Sequence, residues 1–156
     1  MLRGEFIRGD GLVIPNNIMT YGVQQIFQWG LVGTGYALHI GLANCNPDPG
    51  LLASALNEPT IGVNGYARQA VAQSVVGWPT QSTFNGEQYY ETKEFVFEAT
   101  GGPFDKAINR LALINHASTI TGAIVVALSS PLPGEEIIDV TTILATRTFK
   151  YRIYGR

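Results

Sequence analysis

The stretch that decides the fold class is residues 88–99, QYYETKEFVFEA, which shows the cleanest two-residue alternation in the chain. Successive side chains of a β-strand point to opposite faces of its sheet. The alternation therefore predicts one long strand, with Phe95 and Phe97 facing the core. On this interpretation one face carries Tyr89, Glu91, Lys93, Phe95 and Phe97, and the other carries Tyr90, Thr92, Glu94, Val96 and Glu98.

Further strands are expected on both sides of this stretch. Short apolar or mixed segments recur along the chain, and turns rich in glycine, proline and asparagine separate them, such as NCNPDPG at residues 44–50. Many short strands separated in this way are typical of all-β domains, so the sequence predicts an antiparallel β-sandwich or a jelly-roll-like barrel. The other predicted strands are residues 36–42 and 66–72, a strand that ends at Trp78-Pro79, and residues 108–115, 122–129, 137–144 and 146–154.

One helix is expected before the strands. Asn16 and Asn17, after Pro15, can cap a helix, and apolar residues then recur at steps of three and four until a run of glycines. We predict one N-terminal amphipathic helix over residues 17–29.

The predicted organisation is an N-terminal arm, residues 1–14, followed by a single β-rich domain, residues 15–156. The arm is too short for a domain and too apolar for a free tail. We therefore expect it to reach a neighbouring subunit.

The composition is that of a chain whose surface is occupied by other chains. Charged residues make up 14% of the sequence, against about 25% in ordinary soluble domains, and hydrophobic residues make up 46%. Fewer solvated positions favour a homo-oligomer or a packed shell. Lys and Arg number 10 against 12 for Asp and Glu, a net charge of -2, so nucleic acid is not expected as a partner.

The sequence also predicts no membrane partner and no export. The longest apolar runs are far below the roughly 18 residues that span a bilayer, and the first residues, MLRGEFIRGD, lack the apolar region of a signal peptide. A single cysteine cannot form an internal disulfide, so packing and contacts with other chains must supply the stability.

The residues able to do chemistry do not form a catalytic or metal-binding pattern. The two histidines have no partner at ligand spacing, and the cysteine has no activating neighbour in the sequence. We therefore predict no catalytic residue, no cofactor, no metal and no enzymatic activity. The residues weighed in this way are His39, His116, Cys45, Glu135, Glu136, Asp139 and the glycine-rich residues 33–35.

Arg68 is expected to have a structural role. It follows Tyr66 in a segment with the mixed polarity of a half-buried strand. A guanidinium in such a place needs a fixed partner, for which Glu58 and Asp105 are the candidates.

Four aromatic residues, Trp78, Tyr89, Tyr90 and Tyr154, could form a platform for a glycan. We favour core or interface positions for them, because the alternation places much of the set inside. Exposure of two of them in one groove would favour the glycan interpretation.

Several of these marks occur together in one known family. The chain resembles the small virion structural proteins of tailed bacteriophages over most of its length. The marks are Ile14-Pro15-Asn16 before the helix, Glu58-Pro59-Thr60, Gly65-Tyr66-Ala67-Arg68, Trp78-Pro79, Phe95-Val96-Phe97 and the closing Tyr151-Arg152-Ile153-Tyr154.

The resemblance implies a non-enzymatic virion structural protein, assembled in the cytoplasm of the host bacterium. The leading hypothesis is a capsid cement or decoration protein that binds the outer lattice as a homo-oligomer such as a trimer. The alternatives are a tail- or neck-associated structural protein and a glycan- or receptor-binding module of the tail. Its partners would be capsid or tail proteins.

The resemblance carries architectural roles only. Gly65 would supply backbone freedom at the start of a strand, Tyr66 would anchor a ring in the core, and Trp78 would be a wedge between sheets. The structural or interface residues expected are Pro15, Asn16, Gly65, Tyr66, Arg68, Trp78, Phe95 and Phe97.

Overall fold

Ten antiparallel strands form one sheet that curls into a half-barrel in the described part of the computed structural model. The structure describes residues 2–28, 37–48, 50–118, 123–132 and 147–155. Strands account for 46% and helices for 10% of the structure. The prediction of a mainly β fold is confirmed.

The sheet joins distant parts of the chain. Its strands are β1 (Leu2–Arg8), β2 (Val13–Ile18), β3 (Leu38–Ala43), β4 (Gln69–Val71), β5 (Thr80–Phe84), β6 (Glu87–Glu91), β7 (Phe95–Phe97), β8 (Arg110–Ile114), β9 (Val125–Ser129) and β10 (Arg147–Gly155), with one helix, α1 (Thr20–Phe27). The strand order is β4-β3-β8-β9-β2-β1-β10-β6-β5, and β7 pairs with β10 beyond β6. Short 3-10 turns lie at Ala53–Ala55 and Val63–Gly65.

The predicted N-terminal arm, residues 1–14, is wrong, because its first part is an internal strand of the sheet. β1 lies between β10 and β2, and its register with β10 runs from the pair Leu2 and Gly155 to the pair Arg8 and Phe149. β1 therefore pairs with β10 along its whole length and with β2 at residues 5–7, and belongs to the sheet of its own chain.

The helix begins later than predicted over residues 17–29, and two strands precede it. Asn16 and Asn17 lie in β2 and do not cap the helix. The Asn16 side-chain nitrogen donates instead to the Tyr151 hydroxyl at 3.1 Å. The local sequence pattern cannot show this contact, because the two residues lie 135 positions apart.

α1 rests on β9 through a glycine. The backbone nitrogen of Met19 donates to the Val126 carbonyl at 2.9 Å. Gly22 lies against the same carbonyl, so closely that a Cβ atom there would overlap it. The absent side chain therefore allows the helix to approach the sheet.

The predicted strand over residues 88–99 is divided into β6 and β7 by a β-bulge. Glu91 pairs with Arg152 and Phe95 pairs with Phe149, so three residues of this segment lie opposite two residues of β10. One extra residue reverses the alternation of side chains beyond it.

The bulge changes which residues share a face. Phe95 and Phe97 lie in the core as predicted. They share their face with Tyr90, however, which pairs with the inner residue Ile153, whereas Tyr89 lies on the opposite face. We call the face of Phe95 the inner face and the face of Tyr89 the outer face.

β3, β8 and β9 are buried throughout, because apolar groups cover both faces of this part of the sheet. Ile40 and Leu113 pack in the inner core with Phe6. Ala112 and Leu128 pack in a second cluster on the other side with Leu51, Ala53 and Leu56. Strands covered on both faces show continuous apolar runs instead of alternation.

The remaining predictions divide into those that fall on described strands and those that do not. β3, β4, β8, β9 and β10 fall within or beside the segments predicted for them, whereas β1, β2 and β5 were not predicted. The features that lie outside the described residues are the predicted strand 137–144, the acidic residues Glu135, Glu136 and Asp139, and the glycine-rich residues 33–35.

Candidate functional site

Arg68 and Glu58 form a buried ion pair, as the sequence predicts for one of its two candidate partners. Arg68 Nε donates to Glu58 Oε2 at 3.0 Å, and Arg68 Nη2 bonds to the other carboxylate oxygen. The Tyr66 hydroxyl donates to Glu58 Oε2 at 2.9 Å. Asp105, the other candidate, instead accepts a bond from the backbone nitrogen of Thr60 at 2.8 Å.

The same cluster ties three segments of backbone together. Arg68 Nη1 donates to the carbonyls of His116 and Ser118 at 2.9 and 3.0 Å. The Tyr66 hydroxyl accepts a bond from the backbone nitrogen of Leu42 at 3.0 Å. Burial, together with the charge of Glu58, raises the pKa of Tyr66, so the hydroxyl stays protonated and donates. The arrangement ties the loops that contain Glu58 and His116 to β3.

A second ionic cluster lies on the outer face, across β1, β10 and β6. Arg152 Nη1 donates to Glu5 Oε1 at 3.1 Å, and Arg152 Nε donates to Glu91 Oε2 at 3.0 Å. Lys150 and the Tyr154 hydroxyl complete it with bonds to Glu91 at 3.1 Å and to Glu5 at 2.6 Å. Burial alone would raise the pKa of Glu91, but the bonds from Arg152 and Lys150 outweigh burial and hold it below the ordinary value. The carboxylate of Glu91 is therefore held as an ion in a structural contact.

The histidines and the cysteine do not form a reactive site in the described structure. His39 Nδ1 lies 2.9 Å from the Ala37 carbonyl, which can only accept, so Nδ1 carries the proton. His116 Nδ1 accepts a bond from the backbone nitrogen of Ser118 at 3.1 Å. Burial raises the pKa of the Cys45 thiol, which disfavours the thiolate. Within the described ranges, no three metal-binding side chains come together.

An apolar groove opens between the two ends of the curled sheet. It has a volume of about 400 Å³, within the range of small-molecule sites. β3 and β8 supply one wall, β6 and β10 supply the other, and the segment that links β4 to β5 closes one side. The side chains that define this groove are Leu38, Leu113, Trp78, Tyr90, Tyr151 and Ile153.

Trp78 belongs to this groove and is not a wedge between two sheets. It packs edge-on against Tyr151, with ring centroids 6.4 Å apart. Tyr90, on the wall that β6 and β10 supply, is 45% exposed. Of the four aromatic residues considered as a glycan platform, Trp78 and Tyr90 therefore share the groove, whereas Tyr89 and Tyr154 pack together on the outer face.

A turn beside the groove exposes two valines. Val75 is 81% and Val76 is 71% exposed. The turn is fixed by bonds of 3.0 Å from the backbone nitrogens of Gly77 and Trp78 to the Ser74 carbonyl, and we call residues 74–77 the valine turn. The sequence contained a signal for it, because residues 69–86 carry no charge. The strand predicted to end at Trp78-Pro79 is wrong, because residues 74–77 form this turn.

The other predicted structural residues lie at separate places. Gly65 has a φ of +81° and lies against Thr100, but it belongs to the 3-10 turn Val63–Gly65 and not to the start of β4. Pro15 lies in β2, and its carbonyl accepts a bond of 2.7 Å from Ser130. The predicted residues therefore do not form one site.

Comparison with known proteins yields no relative. No protein-family model matches the chain, and no curated protein or solved structure is significantly similar to it. Among the described residues, no helix has the length and apolar character needed to cross a bilayer.

Proposed function

We propose that this chain is a non-enzymatic structural protein of the tailed-phage virion, with capsid cement or decoration as the leading role. It binds capsid subunits and its own copies through apolar surface, as a homo-oligomer. The observation that carries the proposal is the exposed valine turn beside an apolar groove, in a stretch without charged residues. Exposed contiguous apolar surface marks sites of protein association.

Two further observations support an assembly role. The charged clusters around Arg68 and Arg152 are engaged in contacts within the chain. The assignment to a phage virion comes from the sequence motifs that resemble those of small virion structural proteins. A sandwich or jelly-roll-like barrel belongs to this proposal as a hypothesis for the whole chain, in which the curled sheet would be one wall.

The test is a cryo-electron microscopy reconstruction of particles of the source virus, with mass spectrometry of the same particles. Density for this chain over the icosahedral shell is the expected result. Density at the neck or along the tail would replace the cement role with the tail- or neck-associated role. Absence of its peptides from purified particles would refute a virion location.

A glycan- or receptor-binding module of the tail is the second candidate. One observation favours it, since Trp78 and Tyr90 line the same groove. Aromatic faces are what sugar rings pack against. Saturation-transfer NMR with glycans of the host surface would detect binding, which Tyr90→Ala should abolish and Tyr89→Ala, on the outer face, should preserve.

A further inference from the structure

The valine turn and the apolar groove are two complementary surfaces that lie side by side. Val75 lines the rim of the groove and also projects into solvent. The groove is concave and apolar, whereas the turn is convex and apolar. The valine turn does not fill the groove of its own chain. Val75 and Val76 are the most exposed of the large hydrophobic side chains described.

Adjacent complementary surfaces fit a two-fold axis. In a two-fold interface the same patch meets itself, so residue i of one copy contacts residue j of the other, and the reverse contact also forms. A patch with a projection and a hole side by side meets this condition. A second copy of this chain therefore supplies a groove for each turn and a turn for each groove.

The absence of charge in this patch also favours self-association. Residues 69–86 include the valine turn and β4 and β5, the two edge strands among the described residues, and none of them is charged. Two identical patches that carried charge would repel each other and would lose hydration on contact. Here neither cost arises.

The contact has to extend beyond the turn itself. Stable interfaces bury about 1,200 Å² or more in total, which exceeds what two valine side chains per copy supply. The neighbouring strand β5 can add area, because its Gln81 and Thr83 are exposed on the same face as Tyr90.

We infer that the chain forms a two-fold dimer in which the valine turn of each copy fills the apolar groove of the other. This inference deepens the proposed assembly role and rests on it. It identifies the surface, the symmetry and the partner.

The first experiment measures mass in solution by light scattering coupled to size exclusion, with the purified full chain. The wild type should elute at twice the chain mass of 16.9 kDa. Val75→Glu combined with Val76→Glu should raise the dissociation constant at least about a hundredfold, because carboxylates would be desolvated in the groove. Val96→Glu, which places the same charge at an exposed valine of β7, should remain dimeric.

The second experiment tests the pairing itself. Val75→Glu and Tyr90→Lys should each be monomeric alone, because each buries an uncompensated charge. Mixed in equal amounts, they should form a heterodimer, since Glu at position 75 of one copy then meets Lys at position 90 of the other. Far-UV circular dichroism of each variant should match the wild type.

A monomeric or trimeric wild type would overturn the inference, and so would a valine-turn variant that stays dimeric or a mixture that stays monomeric. These outcomes are separate from the virion test. A monomer found over the shell would keep the proposed function and lose the dimer. A dimer that is missing from particles would keep the dimer and refute the virion location.

Discussion

The guanidinium of Arg68 is fully enclosed by protein, and the carboxylate of Glu58 is the charge that balances it. The buried position of both residues makes them sensitive to substitution. A buried pair contributes little compared with an apolar pair of the same size, whereas the loss of one partner leaves an uncompensated charge. The Glu58 and Arg68 contact is therefore the residue-scale feature most sensitive to single substitution.

Glu58→Gln should destabilise the fold by about 3–5 kcal/mol, because it removes the negative charge that pairs with the buried guanidinium of Arg68. The measurement is urea denaturation followed by circular dichroism. Glu87→Gln is the matched control, since Arg3, its partner at 2.9 Å, has a side chain 47% exposed. The control should cost no more than about 1 kcal/mol. Equal losses in the two variants would contradict the role given to the buried pair.

His39 should make stability depend on pH just below neutrality. Burial lowers its pKa from the ordinary value of 6.5, the nearby charge of Arg68 lowers it further, and the bond to Ala37 opposes both. The folded state then binds fewer protons than the unfolded state, so stability is complete above pH 6.5 and falls as the pH drops below it.

The expected loss from His39 is at most about 1.4 kcal/mol per pH unit, the limit for one proton. Urea midpoints of the wild type and of His39→Gln, measured between pH 7.5 and 5.5, would show it. The variant should lose less stability on acidification than the wild type. Parallel curves would assign the pH dependence to other groups.

At the scale of elements, the hydrogen-bonding pattern of β5 can be derived from the hairpin that it forms with β6. The turn residues Asn85 and Gly86 have φ of 49° and 77°, as a two-residue type I′ turn requires. Such a turn is flanked by a hydrogen-bonded pair, here Phe84 and Glu87. By alternation, Ser82 also bonds to β6, whereas the backbone groups of Thr83 point away from it.

Proline substitutions along β5 should therefore alternate in effect. Ser82→Pro removes a bond to β6 and should lower the free energy of unfolding by about 1 kcal/mol more than Thr83→Pro, whose lost N–H points outward. Thermal unfolding of the two variants gives the comparison. Equal effects, or a larger effect of Thr83→Pro, would show that the register of the hairpin differs.

Prediction from the sequence was most accurate where a signal was local. The aromatic side chains of Phe95 and Phe97 face the core as their alternation indicated. The bulge before them was not visible, because it is fixed by Thr92, whose backbone nitrogen and hydroxyl oxygen both bond to Tyr151. No local pattern shows a partner 59 residues away.

The misread N-terminal segment has the same kind of cause. The segment was interpreted as an arm because it is too short for a domain, and no neighbour in the sequence shows that Glu5 is buried. Its charge is accommodated by Arg152 and Tyr154, which lie at the far end of the chain. The groove was also beyond prediction, because its walls come from strands that only the sheet order brings together.

For the whole molecule, β1 should be required for folding and not only for assembly. Deleting residues 2–8 would expose the edges of β10 and β2 and remove the buried ring of Phe6. We expect the deletion variant to lose cooperative thermal unfolding. A circular permutant that joins Gly155 to Leu2 through a short glycine-serine linker, and opens the chain between Asn85 and Gly86, keeps every strand and should fold. A cooperatively unfolding deletion variant would restore the idea of a dispensable arm.

The pairing of β1 with β10 has a further consequence during synthesis on the ribosome. β1 leaves the exit tunnel early, but its partner is made more than a hundred residues later. At ordinary elongation rates of about 5–20 residues per second, Phe6 and Ile7 wait for at least several seconds without the strand that covers them. The growing chain therefore presents an apolar edge to chaperones, or to other growing copies, until its last described strand emerges.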